Sequence, residues 1–346
     1  MENAIVSYVK YIVKLVWPRD MAIYYPFPEA IPFWQVIAAI VFLSVITLLS
    51  VRLIKKAPYV IVGWLWYLGT LFPVIGISQH GRWPEMADRW MYVPEIGLLI
   101  IISWGGAALL SRFPRPGLVM ASLGAVIIAA LILSARTQAA YWQNSITLFE
   151  HALNVTEKTD LAHNNIGAEL NRQGRMDEAI HHFLQALQIN PNLEMAHNSL
   201  GIALDKLERT EEAITHYSQA LRINPNLEMT HNSLGNALNK LGRTEEAIFH
   251  YLQAIRIDPN LEIAHTNLGN TLNRLGRTEE AIFHYRQSLA INPNDERVHY
   301  NLSVALYRKG DMTQAIKHLQ TAVKLNPDYT PAKNLLKRLQ NSQISK

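Results

Sequence analysis

Two groups of residues in this sequence are of the types that do chemistry. The first is the stretch Gln79-His80-Gly81-Arg82-Trp83-Pro84-Glu85-Met86-Ala87-Asp88-Arg89-Trp90, continued by Met91-Tyr92-Val93-Pro94-Glu95. Charged groups and tryptophans concentrate there, between apolar segments. An ionisable cluster at a membrane surface is a functional candidate by default. An ordinary interfacial loop with aromatic anchors has the same composition, and both readings stand. The second group is histidine. His163, His197, His231, His265 and His299 follow a 34-residue step, and so do His182, His216, His250, His284 and His318. Periodic histidines invite a metal reading, but zinc needs three or four ligands converging at about 2 Å. Equivalent positions on successive repeats are a repeat width apart and cannot converge. Packing and surface roles are therefore expected, with no metal and no cofactor. The chain has no cysteine, which excludes disulfides, thiolate catalysis and cysteine-ligated zinc.

The same 34-residue step organises the back half of the chain. It carries Pro191, Pro225, Pro259, Pro293 and Pro327, and Gly167, Gly201, Gly235 and Gly269 with Ser303 in the fifth place. It also carries Ala179, Ala213, Ala247, Ala281 and Ala315, and the larger series Phe183, Tyr217, Tyr251, Tyr285 and Leu319. A period this regular means one supersecondary unit stacked on copies of itself. Such an array offers a surface for binding rather than a single catalytic pocket. Five units are expected over 160–329, each of two helices; in the second these are His197–Leu207 and Thr210–Ile223. A turn carrying glycine or its substitute separates them at Gly174, Glu208, Gly242, Gly276 and Gly310. Thr210, Thr244 and Thr278, each before Glu-Glu, are expected to cap the second helix. Proline ends it. Ser145–Leu153 matches a lone second helix before the array, and Pro331–Gln340 a polar helix that closes it.

Residues 1–140 differ in kind. They hold 11 Lys/Arg against 6 Asp/Glu, while residues 141–346 hold 21 against 22. The basic balance thus belongs to the apolar half, where cations flank membrane spans. The repeats have no basic excess, which argues against a nucleic-acid partner. Four apolar stretches, Phe33–Val51, Tyr59–Ser78, Tyr92–Leu110 and Gly117–Ser134, approach the roughly 20 residues that cross a bilayer. The expectation is a multi-pass membrane domain over 1–140 and a repeat domain over 141–346. Ile5, Val9, Ile12 and Val16 share one helical face, which reads as a short helix in the membrane interface; a truncated span is the alternative. Arg52, Lys55 and Lys56 lie in one loop between spans, and Arg112 and Arg115 in another. Both loops are then cytoplasmic. The 79–91 loop and the repeats face outward, to the periplasmic side.

Leu200-Gly201, Ala213, Tyr217, Ala220 and Pro225, repeated at 34 residues, resemble the tetratricopeptide repeat. Histidine stands where that pattern has tryptophan. The resemblance implies an all-α chain in which a superhelix of paired helices follows a membrane bundle. It also implies a polypeptide-binding concave side lined by the first helices. Carried over position by position, that side holds Asn164, Asn198 and Asn232, then Asn171, Asp205, Asn239 and Asn273, with Lys206, Lys240 and Arg274 beside them. Asparagine suits an extended peptide backbone, and the basic row suits acidic segments or a terminal carboxylate. A merely solvated polar face is the plainer reading.

Ala87-Asp88-Arg89-Trp90-Met91-Tyr92-Val93-Pro94 and the approach Tyr141-Trp142 through Leu148-Phe149 resemble the membrane protein O-glycosyltransferases that carry C-terminal tetratricopeptide arrays. The resemblance implies transfer of sugar from a polyprenyl phosphate carrier, a lipid partner, to a protein hydroxyl. A carboxylate would take the hydroxyl proton, for which Asp88 and Glu85 are candidates. Cations would hold the departing phosphate, a role for Arg82 and Arg89. The acidic pair of that family's first outward loop has no counterpart here, so the chain resembles the C-terminal part of such a protein. A non-catalytic scaffold for membrane or envelope complexes is the alternative.

Overall fold

A computed structural model describes residues 2–16, 31–74, 91–111, 113–156 and 159–344. Among these, every regular element is a helix. Contacts divide the chain into two units, Met1–Glu169 and Leu170–Lys346.

The first unit begins with α1 (Glu2–Val16), α2 (Phe33–Arg52), α3 (Pro58–Leu71), α4 (Pro94–Leu110) and α5 (Pro116–Tyr141). Proline opens α3, α4 and α5, where its missing N–H costs nothing. Two helices, α2 and α5, are long and apolar enough to cross a membrane. The other two expected spans are shorter. Helix α3 has 14 residues and gives way to a 3-10 turn at Phe72–Val74, and α4 has 17 because it starts only at Pro94. Residues 75–78 of the second expected stretch lie outside the described residues.

Helix α1 does not rest on the Ile5–Val9–Ile12–Val16 face alone. Ala4 and Tyr11 are buried in a cluster with Trp64, Tyr67 and Leu71. Ile5 and Val9 pack around Val6, Val36 and Ala39, while Val16 stays exposed. The Tyr8 hydroxyl donates to the Leu68 carbonyl at 2.9 Å, and the Tyr67 hydroxyl donates to the Tyr8 carbonyl at 2.5 Å. A tyrosine hydroxyl in an apolar setting must find a partner, and these two find theirs across α1 and α3. The helix is therefore docked on its neighbours through its aromatic side. Helices α3 and α4 touch backbone to backbone at Gly63 and Gly97, where a β-carbon on either would strike the other's carbonyl.

Helix α6 (Ser145–Val155) is capped by Asn144, whose side chain accepts the Thr147 N–H at 3.0 Å. It covers the half repeat expected at 145–153. Helix α7 (Asp160–Arg172) straddles the division between the units.

The second unit continues with α8 (Met176–Ile189), α9 (Glu194–Lys206), α10 (Thr210–Ile223), α11 (Glu228–Lys240) and α12 (Thr244–Ile257). It ends with α13 (Glu262–Arg274), α14 (Thr278–Ile291), α15 (Glu296–Lys309), α16 (Met312–Leu325) and α17 (Thr330–Ile344). The first helix of the second repeat starts at Glu194, three residues before the expected His197, while α10 runs over the expected residues. Odd-numbered helices from α9 to α15 are the first helices of their repeats and even-numbered ones the second. Helices α9, α11 and α13 each pack on their second helix through a glycine. A β-carbon at Gly201, Gly235 or Gly269 would lie 2.6–2.8 Å from a ring carbon of Tyr217, Tyr251 or Tyr285. Those tyrosines, with Ala213, Ala247 and Ala281, are almost completely buried. The turns behave as expected: Gly174, Gly242, Gly276 and Gly310 have φ from 75 to 92°, and Glu208 takes the same left-handed place at 59° without being glycine.

The threonine caps differ from expectation. Thr210, Thr244 and Thr278 are the first helical residues, and the arginine before each occupies the cap without a side-chain hydrogen bond to the backbone. Arg209, Arg243 and Arg277 instead grip the glutamate three residues on, at 2.6–2.7 Å. The threonine hydroxyls donate back into the turn, Thr210 to Asp205 at 3.2 Å and Thr244 and Thr278 to the carbonyls of Gly242 and Gly276 at 3.2 and 3.4 Å.

Candidate functional site

The first helices bring the expected polar rows together and interlock them. Lys206 Nζ donates to Asn171 Oδ1 at 2.9 Å, and Lys240 Nζ donates to both oxygens of Asp205 at 2.9 Å. Arg274 donates to Asn239. Arg308 donates to the Asn273 carbonyl at 2.9 Å and to its side-chain oxygen at 3.1 Å. Each cation thus reaches back one repeat plus one residue, so the two rows form a single ladder along the array. The signal was present in the sequence as a constant offset of 35 residues. Placing both rows on one concave side does not by itself pair them across successive repeats.

All four cations remain exposed. Asp205 is the only carboxylate of the ladder. Four positive charges against one negative leave the strip electropositive. Every cation also keeps N–H groups beyond those the ladder uses. The asparagines deeper in the first helices behave otherwise. Asn198 accepts from Thr230 at 3.0 Å. Asn232 is 2% exposed and accepts from Asn267 at 3.0 Å, and Asn164 is 6% exposed. Asn164 and Asn232 therefore lie inside the packing rather than on an open face.

The two histidine series, taken as independent, are joined. His197 and His216 place Nδ1 against Nδ1 at 3.0 Å, as do His231–His250 and His265–His284, and His299–His318 does so at 2.9 Å. Each pair links the first and second helix of one repeat, 19 residues apart. The first-helix ring also sets Nε2 at 3.1–3.2 Å from the carbonyl of Pro191, Pro225, Pro259 or Pro293. Burial, reinforced by the partner ring, pushes His250 and His284 down to about 4, and His318 falls to about 4 chiefly through burial as well. His197, His216, His231 and His265 are lowered in the same direction by burial.

Arg82, Glu85, Asp88 and Arg89, the residues of the outward loop, lie outside the described residues.

Comparison with known proteins is consistent with this architecture. Tetratricopeptide repeat family models match residues 158–226 and 272–339, and a TPR repeat model matches 235–276. Protein O-mannosyl-transferase Tmtc2 of Drosophila melanogaster is 27% identical over 94 residues, which is 27% of this chain and 10% of that protein. The match therefore spans about a tenth of that relative's length. The solved structure of YrrB, described as a TPR protein with an unusual peptide-binding site, aligns with TM-score 0.48 and 22% identity over 55% of this chain and 97% of that one. MamA from Desulfovibrio magneticus RS-1 aligns with TM-score 0.46 and 22% identity over 49% of this chain and 96% of that one. With the 34-residue period, the paired helices, the glycine-on-tyrosine contacts and three matching family models in hand, the chain belongs to the tetratricopeptide repeat family.

Proposed function

We propose that this chain is a membrane-anchored tetratricopeptide protein that holds acidic polypeptide segments on the extracytoplasmic side. The observation that carries the reading is the electropositive ladder of Lys206, Lys240, Arg274 and Arg308 along the first helices. Exposed cations spaced one repeat apart suit a ligand lying along the array. Asn171, Asp205, Asn239 and Asn273 hold those cations in place, and so act as positioning residues. In this reading residues 1–140 are the anchor, with α2 and α5 crossing the bilayer and α3 and α4 completing a four-span bundle. The basic loops around Lys55 and Arg115 then face the cytoplasm.

The test is binding of a fluorescent acidic peptide to the full chain in lipid nanodiscs. Replacing Lys206, Lys240 and Arg274 together by alanine is expected to weaken binding at least about tenfold, and raising the salt to weaken it in the parent. Undiminished binding in the triple variant contradicts the assignment of the face.

A second reading is favoured by the local likeness to Tmtc2. In it the array presents acceptor polypeptide to a glycosyl transfer from a polyprenyl phosphate sugar, and the chain is the C-terminal part of the transferase. Asp88 or Glu85 would then stand near the acceptor hydroxyl, and Arg82 and Arg89 near the carrier phosphate. Glycosyl transfer in membranes separates the two readings: activity that survives Asp88→Ala with Arg89→Ala removes their assigned role.

A further inference from the structure

The histidine pairs have a hydrogen-bond order that can be read from their partners. A proline carbonyl only accepts, so the first-helix ring must carry its proton on Nε2. In a neutral ring Nδ1 is then bare. That bare Nδ1 faces the Nδ1 of the second-helix ring at 2.9–3.0 Å, so the second ring must supply the proton between them. Each of these four repeats thus holds a directed chain from second helix to first helix to the loop that enters the repeat.

The arrangement suits a proton and not a metal. Ring centres are 5.2–5.3 Å apart in all four pairs. That separation is reached only when both ring radii add to the nitrogen gap, so the lone pair of one ring points head-on at the other. A metal ion needs both lone pairs to converge on a point beside that line.

One added proton can be taken up. The first-helix ring becomes the cation and donates through Nδ1, while the second-helix ring shifts its own proton to Nε2. A second added proton sets two N–H groups against each other across 3 Å, and the bond is lost.

We propose that each pair is a one-proton site, and that together the four make the array acid-labile by loosening the joint between the first and second helix of each repeat. The proposal is independent of what the first helices bind. Charged neighbours do not reverse its sign. Glu212, Glu246 and Glu280 lie near the second-helix rings and favour protonation, but each is gripped by its arginine. Arg222 near His197, and Arg286 and Lys317 near His318, oppose it. Phe249 and Phe283 set their rings edge-on to His250 and His284 and add no charge.

The direction follows from proton counts. The unfolded chain takes up both protons of a pair below the ordinary histidine range near 6.5. The folded pair takes up one. Stability is therefore full above that range and falls as the pH drops from about 6.5 towards 4.

Two measurements on the full chain in lipid nanodiscs test this. Solid-state nitrogen-15 NMR of histidine-labelled protein at pH 7.5 is expected to show first-helix rings protonated on Nε2 alone and second-helix rings on Nδ1 alone. Second-helix rings found as Nε2–H tautomers overturn the proposal. The second uses the combined variant His216→Asn, His250→Asn, His284→Asn and His318→Asn. An asparagine amide nitrogen occupies the place of Nδ1 and donates the same bond, but it does not titrate. Between pH 7.5 and 4.5 the parent's helical melting is expected to fall by several degrees, and the variant's by less than half as much. Equal falls overturn the proposal. If the variant does not fold, the tautomer spectrum decides alone.

Discussion

Replacing Gly235 by serine is expected to destabilise the array by roughly 1–3 kcal/mol, and replacing Tyr251 by leucine in the same chain is expected to return most of that loss. The clash is with Tyr251, whose ring carbon would lie 2.6 Å from a β-carbon at 235. The ring cannot swing aside. It is 1% exposed, and its hydroxyl donates to Asn236 at 2.8 Å. The chain contains its own precedent for the rescue. In the fifth repeat the two positions are Ser303 and Leu319, both fully buried. Tyr251→Leu alone should cost about 1–3 kcal/mol through lost packing and the lost hydrogen bond. The two changes should therefore couple favourably by more than about 1 kcal/mol in a double-mutant cycle read by thermal melting. Strict additivity would show that the glycine is not there to admit the ring.

Substituting leucine for Gly63 is expected to have a larger effect, because the obstacle is backbone. A β-carbon at 63 meets the carbonyl of Gly97, and one at 97 meets the carbonyl of Gly63. No rotamer change relieves such a contact, so α3 and α4 must move apart. In the proposed bilayer setting, apolar helices associate through close packing rather than through the hydrophobic effect. Losing that contact therefore removes much of what holds the pair together, and a cost of 3 kcal/mol or more is expected, at the upper end of overpacking effects. The control is Gly69→Leu, since nothing lies within 4 Å of a β-carbon there. Unfolding of the full chain in mixed micelles by rising detergent, followed by circular dichroism, should separate the two. Equal midpoints for both variants would remove Gly63 and Gly97 as the contact that joins the helices.

What could be read from the residues alone depended on how local the physics was. The 34-residue period places Tyr217 over Gly201 and Pro191 after α8 without any knowledge of three-dimensional structure, because each repeat is short and its contacts recur. The turn at Glu208 was legible for the same reason: its neighbours at the same step are glycine; its left-handed φ of 59° is what the structure adds. Side-chain pairing between elements was not. The ladder from Lys240 to Asp205 and the bond from His250 to His231 join positions 35 and 19 residues apart. Neither spacing belongs to a single helix, so no helical periodicity points to them. The threonine caps failed because each helix begins at the threonine itself, one residue past the cap, and the Thr210 hydroxyl donates to Asp205. In the apolar half, hydropathy identified the segments but not where prolines and short turns would cut them, which is why α3 ends at Leu71.

The most direct test of the account is photo-crosslinking in sealed, right-side-out membranes. The full chain would carry a photoreactive residue at Asn239 on the first-helix ladder or, for comparison, at the exposed Thr215 on a second helix. An acidic peptide added outside is expected to crosslink at 239 and not at 215, and excess salt should abolish the product. Equal labelling at both positions, or labelling only after the membranes are opened, would contradict the proposed face and its sidedness.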